Sequence, residues 1–260
     1  MVIDSHVHLG RRGLFSLDAP ILLEQMEKNR VDVGIVSSVE CAEYRHDAHR
    51  LFLPEADPLE SNRRLLRLCR ESGGRLYLSF WCAPAIGSAD GVFEFLRENR
   101  DVAVGLKLHP FYSRLPLEDK RYLPYLEIAE QLKLPVSVHT AADSLSSPRQ
   151  LLSLAKAHPN VDFIMVHMGL GSDNADGIAC VAQAENLYGD TTWVPFENVC
   201  RAIRVCGAEK ILFGSDAPID GSKSYDYYKK MLRRARLLPL GVWRKVMYQN
   251  ALIRFKLPKG

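Results

Sequence analysis

Eight short apolar runs recur along this 260-residue chain, at 2–3, 33–39, 75–80, 102–108, 134–138, 161–166, 187–192 and 210–215. Runs of this length bounded by polar residues read as strands buried on both faces. Between them lie segments of helical periodicity. Residues 59–70 set Leu59, Leu65, Leu66 and Leu68 among charges, with Gly73 and Gly74 as a stop signal. Residues 122–132 repeat the pattern, and 148–157 opens on Ser147 as a cap with Pro148 in the first turn. Strand–helix alternation requires a parallel sheet, and eight repeats in this length predict an α/β fold closed as a (β/α)₈ TIM barrel spanning 1–260 as one unit. An open doubly wound sheet is the alternative. It would place a glycine-rich phosphate loop after the first strand, where this chain has two histidines.

Composition narrows the classes. The chain is 47% hydrophobic and 25% charged, which excludes a disordered polar chain and is enough for a full core without disulfides. Lys and Arg total 34 against 31 Asp and Glu, a net charge of +3 that gives no footprint for nucleic acid. The densest basic stretch, Lys229, Lys230, Arg233, Arg234 and Arg236, reads as a solvated helix face. The six cysteines show no C-x-x-C pair, so reduced thiols in a cytoplasmic protein are expected. No signal peptide is expected, because Asp4, His6 and His8 sit where an apolar h-region would lie, and no apolar run is long enough to span a membrane. Oligomeric state is not legible, although an exposed apolar helix face would suit a homodimer. Residues 40–58 are long for one βα connection and read as a lid over the site.

The chemistry lies where the strands end. His6 and His8 are two apart, so one strand projects both to the same side. Two neutral imidazoles on one face suit Zn²⁺ or a similar divalent ion. The fifth and sixth apolar runs end in His139 and His167, and the eighth leads to Asp216. In a barrel every strand's C-terminal end faces one shared site, so four histidines and an aspartate converge there.

These residues lie in segments that resemble the amidohydrolase superfamily, in its amidohydrolase-related branch of aminocarboxymuconate-semialdehyde decarboxylase-like proteins. The resemblance covers nearly the whole chain: IDSHVHLG at the start, VGLKLHP at 104–110, LPVSVHT at 134–140, IMVHMG at 164–169, LYGDTT at 187–192, KILFGSDAP at 210–218 and NALIRF at 250–255. It implies that His6, His8, His139 and Asp216 are metal ligands, with Asp216 also accepting a proton. It implies that His167 is catalytic, holding the water or polarising the substrate. Physically, a divalent ion lowers the pKa of bound water towards about 7, and a carboxylate beside it can shuttle the proton. Lys107 stands where two-metal members carry a bridging carboxylated lysine. Uncarboxylated, its amine would bind a substrate carboxylate or pair with Asp216. The resemblance to the one-metal branch favours one ion per chain, zinc before manganese; carboxylation of Lys107 would make it two.

Other residues have blander readings. His109 follows Lys107 by two, with Pro110 ending the strand, and reads as a hydrogen-bonded strand-end histidine or a substrate contact. His46 and His49 read as solvated lid residues and His158 as a helix-end histidine. Trp81, Tyr112 and Trp193 each follow a strand, either walling the substrate or packing the rim. Arg45, Arg50 and Arg114 fall near the same rim, where an arginine could clamp a carboxylate. The leading expectation is a metal-dependent hydrolase of a small-molecule amide, lactone or ester. The alternative is a non-oxidative decarboxylase of a small carboxylic acid. A TatD-type nuclease is disfavoured by Lys107 where that family has a glutamate, and a non-catalytic binding barrel by the presence of every expected ligand.

Overall fold

The computed structural model describes residues 1–12, 15–43, 57–228 and 238–258. Most of the expected lid, with Arg45, His46, His49 and Arg50, and the basic stretch 229–236 lie outside the described residues. One sheet runs through the described chain in the order β2-β1-β3-β4-β5-β6-β7-β8-β9. Its strands are β1 (Ile3–Arg12), β2 (Phe15–Leu17), β3 (Val33–Ser38), β4 (Leu76–Trp81), β5 (Ala103–Leu108), β6 (Val136–Ala141), β7 (Phe163–Leu170), β8 (Leu187–Asp190) and β9 (Ile211–Leu212). Each of the eight expected runs holds or opens one parallel strand. β2 was not foreseen: β1 continues past its histidines to Arg12 and turns back as an antiparallel hairpin. Gly10 permits this. Its φ is 115°, and a Cβ there would come 2.8 Å from Glu40 Cγ.

The sheet closes on itself. Ser5 N donates to Phe213 O at 2.8 Å, Asp216 N to His6 O at 2.8 Å and His8 N to Ala217 O at 2.8 Å, with a parallel bridge from Val7 to Ala217. This is a (β/α)₈ barrel, with helices α1 (Ala19–Asn29), α2 (Pro58–Glu71), α3 (Val92–Glu98), α4 (Pro110–Ser113), α5 (Leu123–Leu132), α6 (Pro148–Ala157), α7 (Ala175–Val181) and α8 (Phe196–Cys206) in its crossovers. Outward strand residues such as Leu78, Leu106, Val136 and Val138 pack with helix residues Leu65, Leu126 and Leu151 in the main core.

Helix starts follow local chemistry. Asp57 accepts from Glu60 N at 3.0 Å ahead of Pro58, so α2 begins one residue before the expected Leu59. Ser147 caps α6 by accepting from Arg149 N at 3.2 Å, with Pro148 in the first turn. Replacing that acceptor, Ser147→Ala, is expected to cost about 1 kcal/mol, read as a lower urea midpoint at unchanged slope; an unchanged midpoint would show the cap idle.

Inside, the barrel is graded from apolar floor to polar rim. Ile3, Ile35, Ile164, Tyr188 and Leu212 form the floor, and Phe255 from the C-terminal helical segment plugs it from beneath. A Cβ on Gly105 would lie 3.2 Å from the Phe255 ring, so a glycine here leaves the plug its space. Above the floor the inward positions become Ser79, Ser137 and then Lys107, His139 and Asp190. This gradient is why the apolar runs at 102–108, 134–138 and 161–166 are followed directly by His109, His139 and His167. No helix among the described residues is long and apolar enough to cross a membrane.

Candidate metal centre and substrate pocket

His6 and His8 both lie within β1, buried at 4% and 5% exposure. Each ring is held through Nδ1. His6 Nδ1 donates to Thr192 Oγ1 at 3.2 Å, with Asp190 Oδ2 at 3.4 Å behind it. His8 Nδ1 faces Ser37 through both its hydroxyl, at 3.0 Å, and its carbonyl, at 3.3 Å; donation to the carbonyl places the proton on Nδ1. Both Nε2 atoms are therefore bare acceptors, yet they stand 2.9 Å apart. Two lone pairs at that separation repel unless a cation lies between them. Asp216 Oδ1 completes the group, 3.1 Å from His8 Nε2 and 3.6 Å from His6 Nε2. Donors about 2.0–2.1 Å from a common ion, at about 90–109° to each other, would be about 2.9–3.4 Å apart. Two of the three separations fall in that range and the third lies just beyond it, a set that fits a divalent ion, and His6 and His8 have the outer hydrogen bonds that orient ligating imidazoles.

Asp216 has a left-handed backbone, φ 68°, and its Oδ2 accepts from Trp193 Nε1 at 2.9 Å. Burial opposes its ionisation, but the imidazoles of His8, His6 and His167 around it hold the carboxyl well below the usual range. His139 does not join the compact trio. Its ring stacks on His109 with centroids 3.9 Å apart, and lies 4.9 Å from the His167 ring. His167 sits at φ 69°, its N–H held by Asp190 Oδ1 at 2.8 Å and its carbonyl by Asn174 at 3.1 Å. Its Nδ1 donates to Thr192 O at 3.2 Å, so Nε2 is an acceptor. Burial lowers its pKa to about 4, leaving the ring neutral at pH 7. Lys107 is 1% exposed, with Nζ 3.1 Å from His6 Nε2, and burial brings its ammonium down to about 8. Burial first, then the Lys107 charge, keeps His6 well below an ordinary histidine.

His6, His8, Lys107, His139, His167 and Asp216 line one cavity of about 320 Å³ at the C-terminal mouth of the barrel, with Trp81, His109 and Tyr112 on its wall and Val39, Phe111, Leu170 and Ile219 among its apolar members. Trp193 is not in the lining; it orients Asp216 instead. Pro110 ends β5, and His109 caps α4 by accepting from Tyr112 N at 3.4 Å.

Sequence reading assigned no role to the frame behind these residues. Asp190 is fully buried and serves His167, Thr192 and His6 together. Asp4 is also fully buried. It accepts from His6 N at 3.1 Å, Ser215 N at 3.0 Å, the Ser215 hydroxyl and Tyr225 at 2.7 Å. The available signal was a carboxylate at a strand's polar end, beside a histidine or facing one across the barrel.

A barrel whose mouth gathers histidines and a carboxylate around a space for one cation defines a metal-dependent enzyme class. The amidohydrolase family model matches residues 3–256, and the chain belongs to that family. A comparison with curated proteins finds no match. Among solved structures, an amidohydrolase from Burkholderia multivorans with bound zinc aligns at 15% identity and TM-score 0.73, over 99% of this chain and 100% of that one. The 2,6-dihydroxybenzoate decarboxylase from Rhizobium aligns at 17% and 0.65, over 98% of each chain. A 5-carboxyvanillate decarboxylase from Novosphingobium aromaticivorans, complexed with manganese, aligns at 15% and 0.67, over 90% of this chain and 79% of that one. At these identities the likeness is one of fold.

Proposed function

We propose that this enzyme removes a carboxyl group, without oxidation, from a small planar carboxylic acid. The observation that carries the reading is Lys107, a protonated amine buried in the cavity beside the metal trio. A divalent ion held by His6, His8 and Asp216 would supply a Lewis acid that binds substrate oxygens and draws electron density from the ring. Lys107 gives up its contact with His6 Nε2 when that nitrogen is ligated, and turns its ammonium to the substrate. The bond from ring carbon to carboxylate breaks, its electron pair stays on the carbon, and carbon dioxide leaves. The carbon takes a proton from Lys107, whose amine is then reprotonated from solvent. A general acid near pKa 8 is protonated at neutral pH and still gives its proton readily. His167, neutral and bare at Nε2, accepts a hydrogen bond from a substrate hydroxyl and fixes the ring. Asp216, with both oxygens engaged, serves as ligand and counter-charge.

The test uses metal-loaded protein with 2,6-dihydroxybenzoate and 5-carboxyvanillate in D₂O. Carbon dioxide release with one deuteron at the vacated carbon is expected. Lys107→Met is expected to lose about 10²–10⁴ in turnover while keeping its metal. Because the acting form is protonated, activity falls as pH rises through about 8. An unchanged Lys107→Met turnover sinks the assignment. Hydrolysis of an amide, lactone or ester is the second reading, favoured by Asp216 Oδ1 lying 3.1 Å from His8 Nε2, where it can orient a water. It would appear as ¹⁸O from solvent in the product, with no carbon dioxide.

A further inference from the structure

The wall facing the metal trio is built from three rings on consecutive strands. Trp81 ends β4, His109 follows β5 and His139 lies in β6. His109 is the middle member. It is near parallel to Trp81, at 17° and 5.4 Å between centroids, and to His139, at 12° and 3.9 Å. Its Nδ1 is already spent as the acceptor for Tyr112 N. In a neutral imidazole the proton then sits on Nε2. That N–H has no acceptor among the described residues, although His109 lines the cavity and is only 8% exposed. The neighbouring Trp81 Nε1–H is buried and likewise has no partner among the described residues.

A histidine kept for packing alone would have both nitrogens satisfied. Here a ring is fixed on two faces and at one nitrogen, and its remaining donor is left unspent at the edge of a cavity. Such rigid support is what a recognition group needs. We propose that His109 is a specificity-determining residue whose Nε2–H donates to an oxygen substituent of the substrate, remote from the reacting carboxylate, with Trp81 Nε1–H as its companion donor. The pocket therefore takes planar hydroxylated or doubly carboxylated aromatic acids in preference to the bare acid. This rests on the reading of the cavity as a carboxylic-acid site, but not on which bond is broken there.

The experiment is calorimetric titration of zinc-loaded protein with 3,5-dihydroxybenzoate, whose hydroxyls stand away from the carboxylate, and with benzoate. Wild type is expected to prefer the hydroxylated acid by about tenfold, the worth of one buried hydrogen bond. His109→Asn keeps an acceptor for the Tyr112 amide but does not reach the Nε2 position. It should bring the preference close to one. His109→Gln, which returns an N–H near that position, should recover part of the preference, and Trp81→Phe, which keeps a ring but loses its N–H, should lower it. A wild type without preference, or a preference that survives in His109→Asn, overturns the proposal. Retained, His109-dependent preference without carbon dioxide release would instead overturn decarboxylation and leave this inference standing.

Discussion

His6→Ala is expected to emerge from dialysis almost free of metal and without measurable turnover. His6 Nε2 forms two edges of the trio, to His8 and to Asp216, and the compact group of possible ligands found among the described residues is these three. Loss of an outer hydrogen-bond partner of a ligand commonly costs 10–100-fold in metal affinity, so loss of the ligand itself should exceed about 100-fold. Asp190→Asn, which disturbs only the support behind His6 and His167, should fall in that smaller range. His167→Ala should keep its metal and lose activity. Elemental analysis separates these outcomes. Full occupancy in His6→Ala would refute the ligand assignment. A wild-type ratio near one ion per chain fits the trio, whereas a ratio near two would point to a bridging, carboxylated Lys107.

The largest loss of stability is expected at Asp4, which touches no solvent. Its carboxyl gathers four donors, two of them from Ser215 and one from Tyr225, and so joins β1 to the segment after β9. Asp4→Leu is close in size but strands those donors in the interior, and should cost about 3–5 kcal/mol. Asp4→Asn keeps polar atoms at the site and should cost less. The two also differ in pH dependence. Burial raises the Asp4 pKa from 3.8 to about 7, so the folded state holds its proton more tightly than the unfolded state does. The stability from this proton is full below 3.8 and is lost as pH rises through about 7, by about 1.4 kcal/mol per unit within that window. Glu43, buried at the root of the long connection and also raised to about 7, acts in the same direction. Chemical denaturation of wild type and Asp4→Asn at pH 5 and pH 8 tests this: the wild type should weaken more over the interval. Equal slopes would show that Asp4 does not titrate in this range.

The sequence disclosed what repetition can disclose. A period of apolar runs predicts eight parallel strands, because each strand buries both faces and each run must therefore be apolar throughout. It does not reveal β2, since a three-residue hairpin strand leaves no periodic trace and depends on the backbone freedom of Gly10. Strand-end position brought His6, His8, Lys107, His139, His167 and Asp216 into one cavity, because a barrel sends every strand's C-terminal end to the same place. It could not separate the compact trio from His139, since that depends on rotamers fixed by the stack with His109. Nor could it identify Asp4, Asp190 and Ser37 as supports. Their partners lie on other strands, and pairing across a barrel is set by register rather than by spacing. Trp193 shows the same limit: among readings of wall and rim, its bond to the Asp216 carboxylate is visible only in three dimensions.

The seam between β1 and the residues after β9 joins positions as much as 221 apart in sequence. The same seam brings Asp216 to His6 and His8. Closing so long a loop is an entropic debt that local contacts cannot offset, so these pairings form late in folding. In a chain emerging from synthesis the histidine pair would precede by 208 residues the carboxylate that joins it. Tight capture of the ion is therefore tied to topological completion. An ion held by the trio would mark a finished barrel, stabilise that state by mass action, and leave unfinished chains with only a weak claim on it.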